Sequence, residues 1–431
     1  MTRRVAIQGG EVVTDGGILS GATVVMRGGL IEGIERGNAG VGDAEVVDAT
    51  NCVVFPGLVN AHAHGCTTGP LFSSGAAPVG DDVAKAHIRR HLTAGVTTVV
   101  NVCGFGLPTE VPAADIEVLL ATSHVPSAFR AADAVDGGGL MPAHRTMTAE
   151  QMIDSGSAVL LGEIGSGATL GGGVAAYRYI PEALKKRAGL DLEPHQVTAL
   201  IDALVGSSRL GAPDDEALRE ALARMGIHEQ ALAVSREAIQ HYAVASVRAY
   251  LCSFAEVVIV AEKTGAPAMF HSAGPSAATL LGLARRSSAR LIAGHLNHPS
   301  IAEGELLPLA RDLREAGVTV DVSSLDMIRA QRLATPEKAD MLAEAGMVDT
   351  LSTDYAGGTW EPMLGVAERW YRRGLVDLED VAHMTSTRSA DLLGLKDRGR
   401  LAAGLRADII LVDPDDLEQV HGVFVAGERL F

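Results

Sequence analysis

From residue 55 to residue 397, short apolar runs alternate with longer stretches of helical spacing. That alternation restricts the middle of the chain to a largely parallel sheet covered by helices. The runs that read as strands are 57–63, 97–102, 127–132, 158–162, 266–270, 290–294, 318–322 and 348–353. Helical stretches fall between most of them, at 84–94, 149–155, 277–286, 301–316 and 336–345. Three of these end at an Ala-Gly pair, 94–95, 316–317 and 345–346, with glycine where a helix C-terminus wants it. Eight strands in such a series predict a (β/α)8 barrel. A doubly wound open sheet is the competing architecture, because periodicity does not prove closure. The chain has 431 residues, enough for a barrel of about 250 residues or more and a smaller domain.

The two ends read differently. Residues 1–54 are short strands broken by glycines, with 22–26 and 30–34 joined at Arg27-Gly28-Gly29. At the other end, 407–412 is an apolar strand, and 420–430 is a pair of strands turning at Ala426-Gly427. We expect segments 1–54 and 398–431 to form one small β-sandwich, with 55–397 as the barrel domain. One stretch breaks the barrel rhythm. Residues 177–243 show no strand, and their leucines and charges recur at helical spacing, as in Asp215-Glu216-Ala217-Leu218-Arg219-Glu220-Ala221-Leu222. This predicts a helical insertion after strand 4, serving as scaffold, as an oligomer contact or as a lid over the barrel mouth.

Charge and cysteine usage exclude several function classes. There are 36 Lys and Arg against 53 Asp and Glu, a net charge of −17, and no basic run. A nucleic-acid partner is not expected. Cys52, Cys66, Cys103 and Cys252 form no CxxC pair, which predicts a reduced, cytoplasmic setting without a disulfide framework. The first residues carry no apolar leader, and no apolar run reads as long enough to cross a bilayer, so no membrane partner is expected.

The chemistry sits where the predicted strands end. His62-Ala63-His64 closes the first strand, and alternate residues of an extended chain face the same way, so both imidazoles can grip one ion. Glu163 follows the fourth strand, His271 the fifth, His295 the sixth and Asp354 the eighth. In a barrel these ends share one rim. Four imidazoles and two carboxylates there predict two divalent metal ions. His62, His64 and Asp354 would hold one, His271 and His295 the other, and Glu163 would bridge them. Zinc is the first choice for such ligands, with iron, manganese or cobalt also suitable.

With these residues in place, the chain resembles the amidohydrolase superfamily over nearly its whole length. The resemblance rests on Gly29-Leu30-Ile31-Glu32-Gly33-Ile34, on residues 55–64 ending in His62-Ala63-His64, and on residues 399–411. It implies a metal-dependent barrel with a small β-sandwich from both termini, a homo-oligomer (dimer or tetramer) and a small-molecule substrate. Many relatives bridge their metals with a carboxylated lysine after strand 4. Here Glu163 stands in Gly162-Glu163-Ile164-Gly165, and the closest downstream lysines, Lys185 and Lys186, fall in the insertion. A glutamate at this place resembles the enamidase branch. That implies hydrolysis of the C–N bond of a cyclic amide or enamide by a metal-activated hydroxide, with Asp354 as general base and then acid. The alternatives are hydrolysis of a linear N-acyl compound, or a mononuclear deaminase. The deaminase would need a His-x-x-Glu shuttle, and the residues after His271 and His295 lack that glutamate.

Four further residues are candidate substrate contacts: Asn297 and His298 after the sixth strand, Trp360 after the eighth and Arg145 after the third. Each has a competing structural role, in loop capping, packing or a surface ion pair. Cys66 is not expected to be a nucleophile. His87, His91, His124, His195, His228, His241, His383 and His421 are expected to be structural.

Overall fold

The structure, a computed structural model, describes residues 3–37, 41–167, 175–206, 210–324, 326–328, 331–332 and 334–431. The chain opens with β1 (Arg4–Thr14), β2 (Gly17–Arg27), β3 (Leu30–Arg36), β4 (Glu45–Asp48) and β5 (Val53–Pro56). β1, β2 and β3 pair antiparallel in sequence order. The register of β1 shifts around Gly10, and this divides its second edge. Val5 to Gln8 pair with β4, and Glu11 and Val12 pair with β5.

Gly57 alone separates β5 from the first barrel strand, β6 (Leu58–Ala63). The barrel continues through β7 (Val96–Asn101), β8 (Glu117–Thr122), β9 (Leu160–Ile164), β10 (Ala268–His271), β11 (Leu291–Gly294) and β12 (Thr319–Ser323). A short hairpin, β13 (Asp326–Ile328) and β14 (Gln331–Arg332), precedes the last barrel strand, β15 (Thr350–Ser352). β16 (Thr359–Trp360) then pairs with β13. The C-terminal strands are β17 (Ile409–Asp413), β18 (Asp416–Val425) and β19 (Glu428–Arg429).

β6 to β12 and β15 form one sheet of eight strands in sequence order, each pair parallel. The circle closes just past β15. The Asp354 amide donates to the His62 carbonyl, and the His64 amide to the Tyr355 carbonyl, both at 2.8 Å. This is the (β/α)8 barrel that the alternation predicts. β6, β7, β9 and β11 are buried along their whole length and mostly apolar, as a sheet covered by helices requires. The terminal strands form a second sheet, ordered β19-β18-β17-β5-β1-β2-β3, with β4 beside β1. The sandwich expected from both termini is realised as this single sheet. It has its own core, which includes Ile7, Val24, Met26, Val54, Ile409 and Phe424.

One predicted strand is corrected. Residues 127–132 lie in the helix Pro126–Val135, and the third barrel strand is β8. Pro126 occupies the first helical turn, and the alanine-rich run behind it favours a helix. The insertion after β9 is helical, with Ile180–Ala188, Pro194–Val205, Asp215–Arg224 and Leu232–Ile239 packed around their own core of Leu184, Val197, Ile201, Leu218 and Ile239. Residues 207–209 of that predicted segment lie outside the described residues. The helix leading out of it, Glu229–Thr264, is long and apolar enough to cross a membrane. This corrects the expectation of no such run: polar residues such as Arg236, Glu237 and Arg248 interrupt the apolar ones in sequence, and the helix joins them into one length. Val247, Tyr250, Phe254 and Val257 of this helix are buried in the main core beside Phe270 of β10.

Candidate metal centre

All six predicted ligands meet at the C-terminal ends of the barrel strands, and all are buried or nearly so. They fall into two sets of donor atoms. His62, His64, Glu163 and Asp354 form one, and Glu163, His271 and His295 the other. Glu163 belongs to both. Its Oε2 lies 3.5 Å from His62 Nε2 and 3.6 Å from His64 Nε2. Its Oε1 lies 2.8 Å from His295 Nε2 and 3.2 Å from His271 Nδ1. Asp354 Oδ1 completes the first set, 3.2 Å from both His62 Nε2 and His64 Nε2.

The separations of the first set, 3.2 to 3.6 Å, fit an ion that its residues would share, and those of the second, 2.8 to 3.2 Å, are tighter. Two donors each about 2.1 Å from one tetrahedral ion lie about 3.4 Å apart. Among the described residues, His62 Nε2 and Glu163 Oε2 are buried without a hydrogen-bond partner. Buried polar atoms without partners are costly, and a shared cation would satisfy both.

The local backbone aims these groups. Gly162 has φ +125°, and a Cβ there would stand 2.4 Å from the Met269 carbonyl oxygen. Only glycine lets β9 approach β10 so closely just before Glu163. His295 and Asp354 have φ of +37° and +49°. Left-handed backbone at non-glycine residues is strained, and such strain clusters at functional sites. Asn60 steadies the junction of the first and last strands. Its Nδ2 donates to Thr353 Oγ1 at 2.7 Å, and its Oδ1 accepts from the His62 amide at 3.2 Å.

The charges are interdependent. Burial opposes ionisation of Glu163, but His62, His271 and His295 outweigh it and hold this carboxyl well below its usual range. Asp354 is likewise buried, and His62 and His295 hold it far down. Burial opposes protonation of His62, yet Asp354 and Glu163 raise it well above the ordinary histidine value. His271 is lowered by burial and by its neighbour His295.

Sequence reasoning missed Asp321. It is fully buried on β12, where no ligand was predicted. Its Oδ2 lies 3.4 Å from His62 Nδ1 and accepts from the His295 amide at 3.3 Å. Thr350 and Ser352 also donate to it, at 2.9 and 2.8 Å. The available signal was a carboxylate flanked by Val320 and Val322 inside a barrel strand. Lys338 was missed as well. It is a buried ammonium donating to the carbonyls of His298 and Pro299 at 3.1 and 2.8 Å, and to that of Ile301.

The four candidate substrate contacts separate. The His298 ring lies 5.3 Å from that of His271 and 5.4 Å from that of His295, beside the second set of donors. The Asn297 side chain is occupied by backbone. It donates to the Ser323 and Thr335 carbonyls and accepts from the Ser323 amide. Trp360 stands edge-on to His91 and Tyr355, with Arg90 over its ring. Arg145 pairs at the surface with Asp133 at 2.5 Å and stacks on Phe129. That surface ion pair with Asp133 is the competing role named for it. Cys66 is fully buried, which pushes its thiol up to about 12, so it carries no ready thiolate.

Comparison with known proteins bears on the fold and the family. The fold is similar to that of a β-aspartyl dipeptidase from Fervidobacterium islandicum AW-1, with a TM-score of 0.59 and 16% identity over 99% of this chain and 97% of that one. It is also similar to a D-hydantoinase from a Bacillus species, with a TM-score of 0.56 and 15% identity over 99% and 95% of the two chains. A dihydroorotase of Halobacterium salinarum is 32% identical over 119 residues, a match spanning 21% of this chain and 27% of that relative. Residues 53–430 match the model of the Amidohydrolase family. The chain belongs to that family.

Proposed function

We propose that the chain hydrolyses a cyclic amide or enamide at a pair of divalent metal ions, with zinc the first choice. The observation that carries this reading is the position of Glu163, whose two carboxylate oxygens face different sets of ligands. A glutamate so placed would stand in for the carboxylated lysine. His62, His64 and Asp354 would hold one ion, and His271 and His295 the other. Such a pair supplies polarisation of the scissile carbonyl and a water acidic enough to react at neutral pH.

The chain's own groups do the rest. Asp354, at the edge of the first set, accepts the proton of the attacking water and returns it to the leaving nitrogen. His298 stands beside the second set, where a substrate oxygen would lie. The hydantoinase and dihydroorotase among the similar proteins are in keeping with a cyclic amide, and the β-aspartyl dipeptidase keeps a linear amide in the screen.

The test is metal content per chain in protein purified without chelator, followed by a hydrolysis screen of cyclic amides, cyclic enamides and linear N-acyl compounds. About two ions per chain and turnover of a ring substrate are expected. One ion with release of ammonia from a heterocycle would turn the reading to a mononuclear deaminase. No ion, even after incubation with metal, would sink the catalytic assignment.

A further inference from the structure

Asp321 is the group that both halves of the site share without being a ligand of either. It lies on β12, and its carboxylate is fully buried behind the ligands. A carboxylate only accepts, so the contact at 3.4 Å makes His62 Nδ1 the donor and leaves Nε2, which faces Glu163 and Asp354, as the nitrogen that would bind a metal ion. The same oxygen, Oδ2, accepts from the backbone amide of His295, the residue held at φ +37°. A ligand of the first set and a ligand of the second are thus fastened to one atom. Ser352 Oγ also donates to Oδ2, at 2.8 Å. Three donors crowd this oxygen, which accounts for the length of the two histidine contacts. Thr350 Oγ1 donates to the other oxygen at 2.9 Å and sets the plane of the carboxylate.

We propose that Asp321 is a positioning residue that couples the two metal half-sites, so that loosening it weakens both ions together. The proposal rests on the metal-pair reading above. It predicts a pattern that neither half-site gives alone. A partner of His62 only would affect one ion. A residue that merely fills the core would change folding and leave the relative affinities as they were. Partners of metal-bound histidines commonly tune affinity by about 10- to 100-fold. Here that effect is expected on two ions, because one oxygen orients a side chain on one side and a backbone turn on the other.

The experiment is a metal titration of chelator-stripped full-length protein. Zinc is added in competition with a chromophoric chelator, and cobalt is added with the visible ligand-field spectrum as a second readout. Wild-type protein is expected to bind two ions per chain. In Asp321→Asn both dissociation constants should rise by about 10-fold or more. Thr350→Val, which removes one donor and keeps the side-chain shape, should shift both in the same direction by a smaller factor. Circular dichroism and the melting curve of the stripped proteins report folding separately. Wild-type affinities for either ion in folded Asp321→Asn overturn the coupling. If that variant does not fold, an unchanged isotherm in Thr350→Val overturns it instead. A wild-type chain that takes up fewer than two ions sinks the metal pair itself, an outcome distinct from two ions that ignore Asp321.

Discussion

The barrel carries a cluster of charges at each end, and the two are built on opposite plans. At the foot, Glu117 at the start of β8 contacts Arg398 and Arg406. Arg398 also pairs with Asp397 at 2.9 Å, and Arg406 with Asp408 at 3.1 Å. Each charged group there meets an opposite charge supplied by the chain. At the rim, carboxylates and imidazoles converge so that His62 Nε2 and Glu163 Oε2 are buried without partners among the described residues. The foot answers its charges with charges of the chain and leaves one buried carboxylate oxygen, Asp408 Oδ2, without a hydrogen-bond partner among the described residues, whereas the unpartnered atoms of the rim face one another at 3.5 Å. The comparison separates charge that holds a fold from charge that performs chemistry. Burial alone does not separate them, since Arg398 and Glu163 are both buried.

The comparison can be broken most sharply at Asp354. Asp354→Asn keeps the volume and removes the proton acceptor, and turnover should fall by about 10²- to 10⁴-fold. Its melting temperature should move less than that of a variant at the foot. A variant with near-normal turnover would remove Asp354 from the proton-transfer role. The mirror experiment is Glu117→Gln. Breaking a buried pair costs about 3–5 kcal/mol, but Glu117 is about a third exposed, and screening reduces the expected loss to about 1–2 kcal/mol. Turnover should persist at wild-type level. Equal damage to turnover and stability in both variants would erase the distinction between rim and foot.

The smallest expected effect concerns a histidine outside both clusters. His124 follows β8 and packs against Phe105 and Phe129, and burial pushes it down to about 4. The unfolded chain takes up this proton near the ordinary value of 6.5, before the folded chain does. His124 therefore contributes stability above pH 6.5 that is lost as the pH falls from there toward 4. His124→Phe should flatten the decline of melting temperature across that window, measured on metal-stripped protein. Identical slopes for variant and wild type would show that His124 titrates alike in both states.

The six rim residues were legible because each stands at or just past the end of a run that reads as a strand, and a parallel barrel brings all such ends to one circle. Asp321 was not legible by that rule, since it sits within β12 and reaches the site from behind its ligands. The third strand was misplaced because the helix Pro126–Val135 carries as much apolar character as β8, and run length alone does not separate them. The foot was closed to sequence reading for another reason. Arg398 and Glu117 are 281 residues apart, and nothing local in either segment names the other.

The passage from β5 to β6 ties the two sheets together through one residue. β5 is pinned in register between β1 and β17. Gly57 follows, with its amide held by the Asp408 carbonyl and its own carbonyl by Ser386 Oγ. A Cβ on Gly57 would stand 2.4 Å from Thr97 Oγ1, which leaves this step no slack. His62 is then five residues along the chain and His64 two beyond it. In an extended segment a slip of one residue exchanges the two faces. The terminal sheet, which contributes no predicted ligand, thus serves as the ruler from which the first two are counted.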